Sequence, residues 1–187
     1  MNEETPVVRL AVLATGQEVK GLAPNKDGDE FYEESLPLPA LLCSYWFLKK
    51  FLESRPRYKF RDWALDSGAF SAHNSGAVFD LQEYIDTCLE LMESDSQLSD
   101  IFALDVIGDH EATLKNTEEM WRQGVEAIPC YHVGEPEDYL YHIAKEFPKI
   151  ALGGVALMTN KTKRRQWAAQ CFARVWPKRI HGFGFGS

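Results

Sequence analysis

The feature that most restricts how this chain can fold is a recurring order: short apolar segment, polar or glycine-rich turn, then amphipathic stretch. Strand-like segments stand at residues 7–14, 63–65, 101–104, 127–131, 150–152 and 179–182, with helical patterns between most of them. Strands joined in this way are parallel, because a parallel partner needs a crossover connection and the intervening helix supplies it. The clearest helix begins at Leu81, where Leu81, Tyr84, Ile85, Cys88, Leu89 and Met92 form one stripe at helical spacing. Asp80 followed by Glu83 resembles a capping box, a carboxylate accepting from the free amides of the first turn.

Residues 38–52 are apolar nearly all round and predict a buried helix. Asp109 is placed to cap a helix bearing Leu114, Met120 and Trp121 and ended by Gly124. Pro136 suits a first helical position before Leu140, Ile143 and Phe147. Trp167, Cys171 and Val175 stripe a last helix, which Pro177 stops.

Two α/β architectures accommodate this order, an open doubly wound sheet and a (β/α) TIM-type barrel. No G-x-G-x-x-G opens the first crossover, which removes the main support for a dinucleotide fold. Polar residues instead follow the carboxyl ends of successive strands, where barrel enzymes keep their chemistry. The expectation is therefore a single barrel domain over residues 1–187, incomplete at its carboxyl end, with about six βα units.

Composition narrows function by exclusion. Twenty Lys plus Arg against 28 Asp plus Glu give −8, which argues against a whole surface that grips nucleic acid but leaves room for a local basic strip. Lys161, Lys163, Arg164 and Arg165 form one such strip; Arg55, Arg57, Lys59 and Arg61 form another. Either set is equally well read as a solvated face. The acidic start Met1-Asn2-Glu3-Glu4 lacks the basic and apolar regions of a secretory signal, and the longest apolar run is too short to span a bilayer; a cytoplasmic protein without a membrane partner is expected. Cys43, Cys88, Cys130 and Cys171 are widely spaced with no C-x-x-C pair, so reduced thiols are expected rather than a zinc or disulfide framework.

The candidate chemistry lies in the turns after the strands: Asp66-Ser67-Gly68-Ala69-Phe70, Asp105, Tyr131-His132, Gly153-Gly154 and His181-Gly182-Phe183-Gly184. Asp66 and Asp105, from different strands, are expected to converge on one cavity and divide the work of attack or proton transfer and substrate binding. Each has a plainer reading as a turn or helix-start residue. His132 alone reads as a structural donor or a ligand-binding group. Gly153-Gly154 reads as a tight turn or as backbone brought close to a ligand. Asp105, Asp109 and His110 match no zinc spacing, so neither metal nor other cofactor is expected.

These motifs, in this order over residues 60–187, resemble the tRNA-guanine transglycosylase superfamily, most closely its phage and bacterial branch, deoxypurine-in-DNA protein A. The shared features are the D-S-G-A-F turn at Asp66, the strand ending in Asp105, the proline-aromatic-histidine stretch ending at His132, the I/L-G-G turn at Gly153-Gly154 and the H-G-x-G-F segment from His181. The resemblance implies a barrel enzyme, a glycosyltransferase that exchanges guanine for a 7-deazaguanine, with DNA favoured over tRNA as partner, in a bacterial or phage-infected cell. It implies that Asp66 is the catalytic acid/base or binding group, that Asp105 accepts from the guanine amidine edge, and that Gly153 and Gly154 donate to the base carbonyl. Ser67, Gly68, Phe70, His132 and His181 complete the implied substrate-binding set, with Tyr131, Phe70 or Phe183 available to stack on the base. The family's covalent aspartate follows the H-G-x-G segment and has no counterpart before Ser187. Three readings stay open: a fragment, a barrel completed by a second chain, or Asp66 as nucleophile in a contracted site. Two rival functions are a non-catalytic relative that binds nucleic acid or a partner, and an unrelated metal- or phosphate-handling barrel.

Overall fold

In the computed structural model, residues 7–12, 38–57, 59–155 and 158–185 are described. The fold is α/β, and its strands pair in parallel in two sheets. The chain divides into two compact units, Met1–Ile101 and Phe102–Ser187. Among the described residues no helix is long and apolar enough to cross a membrane.

In the first unit, β1 (Arg9–Val12), β2 (Ala40–Ser44), β3 (Asp62–Asp66) and β4 (Leu98–Ile101) lie side by side in chain order. Helices α1 (Leu48–Ser54), α2 (Ala69–Ser75) and α3 (Leu81–Ser94) accompany them. Residues 40–44 correct the expected helix over 38–52: they are a strand, and the helix starts only at Leu48. The cause is burial. A parallel strand paired along both edges by β1 and β3, with the successive residues Ala40 and Leu41 both buried, reads as an unbroken apolar run, which periodicity does not separate from a buried helix. The first strand is described only to Val12; residues 13–14 of the expected segment lie outside the described residues. The expected strand over 101–104 sits three residues earlier, at Leu98–Ile101, after a register shift between Trp63 and Ala64.

This unit's core gathers Leu41, Phe51, Trp63, Leu65, Tyr84, Ile85 and Cys88, all essentially without exposed surface. The indole N–H of Trp63 donates to Asp95 at 2.9 Å, so the largest core side chain leaves no polar group unpaired. Near the amino ends of the strands Arg9 pairs with Asp62 and, at 2.9 Å, with Asp100, tying β1 to β3 and β4. Asp80 caps α3 as expected, accepting from the Glu83 amide at 2.9 Å.

In the second unit, β5 (Cys130–His132), β6 (Lys149–Gly153) and β7 (Arg179–Gly182) form a sheet, again in chain order. Its helices are α4 (His110–Arg122), α5 (Glu137–Glu146) and α6 (Lys161–Val175). The expected strand over 127–131 shortens to Cys130–His132, preceded by an isolated parallel bridge between Phe102 and Ile128. Asp109 caps α4 through the Ala112 amide at 2.9 Å, and Gly124 follows that helix in the left-handed region. Pro136 stands one position before the helix proper, as the cap of α5. Leu140, Ile143, Ile150, Leu152 and Cys171 build the core, with Trp167 stacked between Tyr131 at 6.0 Å and Phe185 at 6.5 Å. Full burial of each aliphatic side chain contributes roughly 1.5–3 kcal/mol.

Candidate functional site

A polar cluster in the second unit grows from strand alternation. Residues two apart on a strand share a face, so Cys130 and His132 of β5 present their side chains together. Asp105 joins them: its Oδ2 lies 3.6 Å from His132 Nε2, and the Asp105, Cys130 and His132 donor atoms all fall within 4.8 Å of one another. The backbone on either side of Asp105 is held by α4. Asn116 Nδ2 donates to the Leu104 carbonyl at 2.9 Å, and the Val106 amide donates to Thr113 Oγ1 at 2.8 Å.

The next strand explains the paired glycines. In the β5–β6 ladder Gly153 stands opposite His132. A Cβ at Gly153 would fall 2.8 Å from Cys130 Sγ and 2.8 Å from His132 Cδ2, so no side chain fits there. Gly154 follows with φ 75°, where a Cβ would approach the Val133 amide to 3.1 Å.

Glu135, which the sequence reading overlooks, orients the histidine. Its Oε2 accepts from the His132 amide at 2.6 Å, and its Oε1 lies 3.2 Å from His132 Nδ1. Gly134, at φ 95°, supplies the turn that brings Glu135 back over the end of β5. Tyr131 donates its hydroxyl to the Glu135 carbonyl at 2.8 Å, locking the same turn from the core side.

Charge in this cluster is set by burial against pairing. Burial disfavours a charged imidazole, yet Asp105, Cys130 and Glu135 outweigh it and hold the His132 pKa above the ordinary histidine range. Burial raises the Asp105 carboxyl, partly offset by His132. Burial likewise pushes the Cys130 thiol up to about 12. Asp105 Oδ1 is enclosed and has no hydrogen-bond partner among the described residues. An unsatisfied buried acceptor costs about 1–3 kcal/mol, so it marks a place where a donor or a cation belongs.

The other expected residues are placed as follows. The His181 ring packs 4.7 Å from Phe102 and 4.6 Å from Phe183, forming an aromatic trio. Tyr131 is buried against Trp167, which commits one face of its ring to the core. Asp109 and His110 take other duties, the first as the α4 cap and the second against Tyr139 at 5.1 Å. Lys161, Lys163 and Arg165 are exposed on the first turns of α6. Arg164 is a tie between loops, donating to the Met158 carbonyl at 2.9 Å and the Gly184 carbonyl at 3.1 Å. In the first unit's basic strip, Arg55 pairs with Asp95 and Arg61 with Asp62, while the Arg57 side chain lies outside the described residues.

Asp66 belongs to the first unit, at the carboxyl end of β3 beside Ser44 of β2. Its Oδ2 accepts from the Gly68 amide at 3.3 Å, and Ser67, buried, accepts at Oγ from Ala69 at 3.4 Å. Gly68 takes φ 71°, and a Cβ there would lie 2.6 Å from Ser44 Oγ and 2.9 Å from the Trp46 amide. The D-S-G order thus satisfies a strand-to-helix turn on local grounds. Phe70, one residue into α2, is 48% exposed. Comparison of the chain with family models, curated proteins and solved structures gives no match.

Proposed function

We propose that the protein is a guanine transglycosylase that exchanges guanine for a 7-deazaguanine base in DNA, with base recognition centred on Asp105. The observation that carries this reading is the enclosed, unpartnered Oδ1 of Asp105 beside His132 and the Gly153-Gly154 turn. Guanine offers two adjacent donors, N1–H and the 2-amino group, which want a carboxylate acceptor, and one acceptor, O6, which wants a donor. His132, held with its pKa raised, and the backbone of the glycine pair are donors of the required kind. His181 and Phe183, both partly exposed and packed on the buried Phe102, offer aromatic surface for a flat base.

The reading includes a TIM-type barrel. Strand order follows chain order in both sheets, without the reversal of a doubly wound sheet, which favours that architecture. Asp66 is assigned as the catalytic carboxylate. In the reaction a carboxylate attacks the sugar anomeric carbon as the bond to guanine N9 breaks, and guanine leaves with that electron pair and gains a proton. The incoming deazaguanine then gives up its N9 proton and displaces the carboxylate; each displacement inverts the anomeric carbon through an oxocarbenium-like transition state, and the two together retain its configuration. In duplex DNA the target nucleotide first leaves the stack, at a cost of a few kcal/mol. Lys161, Lys163 and Arg165, exposed on the first turns of α6, are assigned to DNA phosphates. Such a reaction suits a cytoplasmic protein.

The test incubates the full chain with guanine-containing DNA, or tRNA in parallel, and labelled 7-cyano-7-deazaguanine. Incorporation into DNA is expected, abolished by Asp66→Asn or Asp105→Asn in variants that remain folded. Retained exchange in both variants refutes the assigned roles. Tight base or DNA binding without exchange identifies a non-catalytic relative instead.

A further inference from the structure

We infer that Asp105, Cys130 and His132 form a three-ligand binding site for a zinc-type divalent cation. The inference does not rest on the base-exchange reading and competes with it for the same groups: a cation held by Asp105 and His132 takes the imidazole nitrogen that guanine would otherwise use as a donor.

Each residue offers one donor atom, and the three lie within 4.8 Å of one another, with Asp105 Oδ2 and His132 Nε2 at 3.6 Å. A zinc ion with ligands at about 2.0–2.3 Å in tetrahedral array spaces its donors about 3–4 Å apart, so only a small contraction closes the set. One sulfur, one imidazole nitrogen and one carboxylate oxygen suit zinc or cobalt better than magnesium or calcium, which prefer all-oxygen sites.

Three further observations point to a ligand rather than to side chains that merely touch. First, Glu135 Oε1 holds His132 Nδ1 at 3.2 Å, which directs Nε2 toward Asp105. A carboxylate behind the histidine in this way is the usual support of a metal-bound imidazole. Second, the residue facing two of the donors is a glycine, Gly153: a Cβ there would stand 2.8 Å from Cys130 Sγ and 3.0 Å from His132 Nε2, in the space a cation bound to both would take. Third, Asp105 Oδ1 is buried without a partner among the described residues. A cation on one carboxylate oxygen relieves this desolvated acceptor and still leaves the other oxygen for a hydrogen bond. Three protein ligands, with water or substrate as the fourth, are the arrangement of catalytic zinc sites, whereas structural sites are closed by four.

Full-length protein is stripped with a chelator and titrated with Co(II) in the absence of DNA and base. Uptake with a thiolate-to-cobalt charge-transfer band in the near ultraviolet is expected. Cys130→Ser abolishes the band, while Cys171→Ser, altering a thiol in the α6 core, keeps it. Glu135→Gln keeps the band but weakens Co(II) affinity about 10–100-fold, the usual effect of losing a supporting carboxylate. Should Cys130→Ser fail to fold by circular dichroism, X-ray absorption on the zinc-loaded wild-type protein decides, with sulfur and nitrogen/oxygen neighbours expected in one coordination shell. No cobalt uptake, a spectrum lacking the charge-transfer band, a band unchanged in folded Cys130→Ser, or a shell without sulfur overturns the proposal. Because metal uptake is read without substrate, its failure and the failure of base exchange are separate results.

Discussion

Gly68 is the position where backbone and packing leave least choice. Its φ of 71° is costly for any L side chain, and a Cβ would meet Ser44 Oγ at 2.6 Å and the Trp46 amide at 2.9 Å. Gly68→Ala is expected to destabilise the fold by roughly 1–3 kcal/mol, measured as a shift in the urea midpoint of the full chain. Asp62 gives a pH signature. Burial alone would raise its carboxyl, but hydrogen bonds from Arg61 and Arg9 outweigh this and hold it below the ordinary carboxylate range. A carboxyl depressed in the folded state contributes stability above its unfolded pKa of about 3.9, and this contribution fades as pH falls through the folded value. Asp62→Asn should therefore be less stable than wild type at neutral pH, and denaturant curves of the two should draw together as the medium is acidified below that unfolded value. A gap that persists unchanged in acid contradicts the assignment.

Among elements, the helices carry their own punctuation. Asp80 and Asp109 each accept from the amide three residues on, at 2.9 Å. Asp80→Ala or Asp109→Ala should each cost about 0.5–2 kcal/mol in thermal or denaturant unfolding. Those caps and the apolar stripes of α3, α5 and α6 were legible in the sequence because they are local: the signal and the structure it specifies occupy the same few residues. The second strand was not legible. Leu41, Leu42 and Cys43 become a strand because β1 and β3 pair with them from both sides, a circumstance their own pattern does not carry. The candidate site divides in the same way. Asp105, His132 and the glycine pair announced themselves as polar residues following apolar runs. Cys130 did not, since a lone thiol inside a strand reads as packing. Its spacing of two from His132 was the available signal, and Gly134 ahead of Glu135 marked the turn that brings the carboxylate back.

At the scale of the whole molecule, an acidic chain with a formal charge of −8 has to bind a polyanion locally if it binds one at all. Of the five cations on α6, Arg164 is occupied by two loop carbonyls and Arg174 pairs with Glu137 at 2.8 Å, which leaves Lys161, Lys163 and Arg165 for this role. The logarithm of the full chain's DNA affinity should fall linearly with the logarithm of salt concentration. Replacing each exposed cation that touches a phosphate by Ala should reduce that slope by about 0.9. A slope unaltered in the triple variant places the phosphate contacts elsewhere. Arg164→Ala belongs to a different class, loosening two loops and lowering stability rather than changing the salt response alone.

The way α4 grips the segment around Asp105 has a consequence for deuterium labelling. The Val106 amide gives its proton to the Thr113 hydroxyl and not to a neighbouring strand, so its protection depends on α4 staying docked. Mass spectrometry after a D2O pulse should find Val106 exchanging in step with the amides of that helix, and much faster once Thr113 is replaced by Val. A backbone proton next to the site carboxylate thereby becomes a clock for how often that carboxylate is let go.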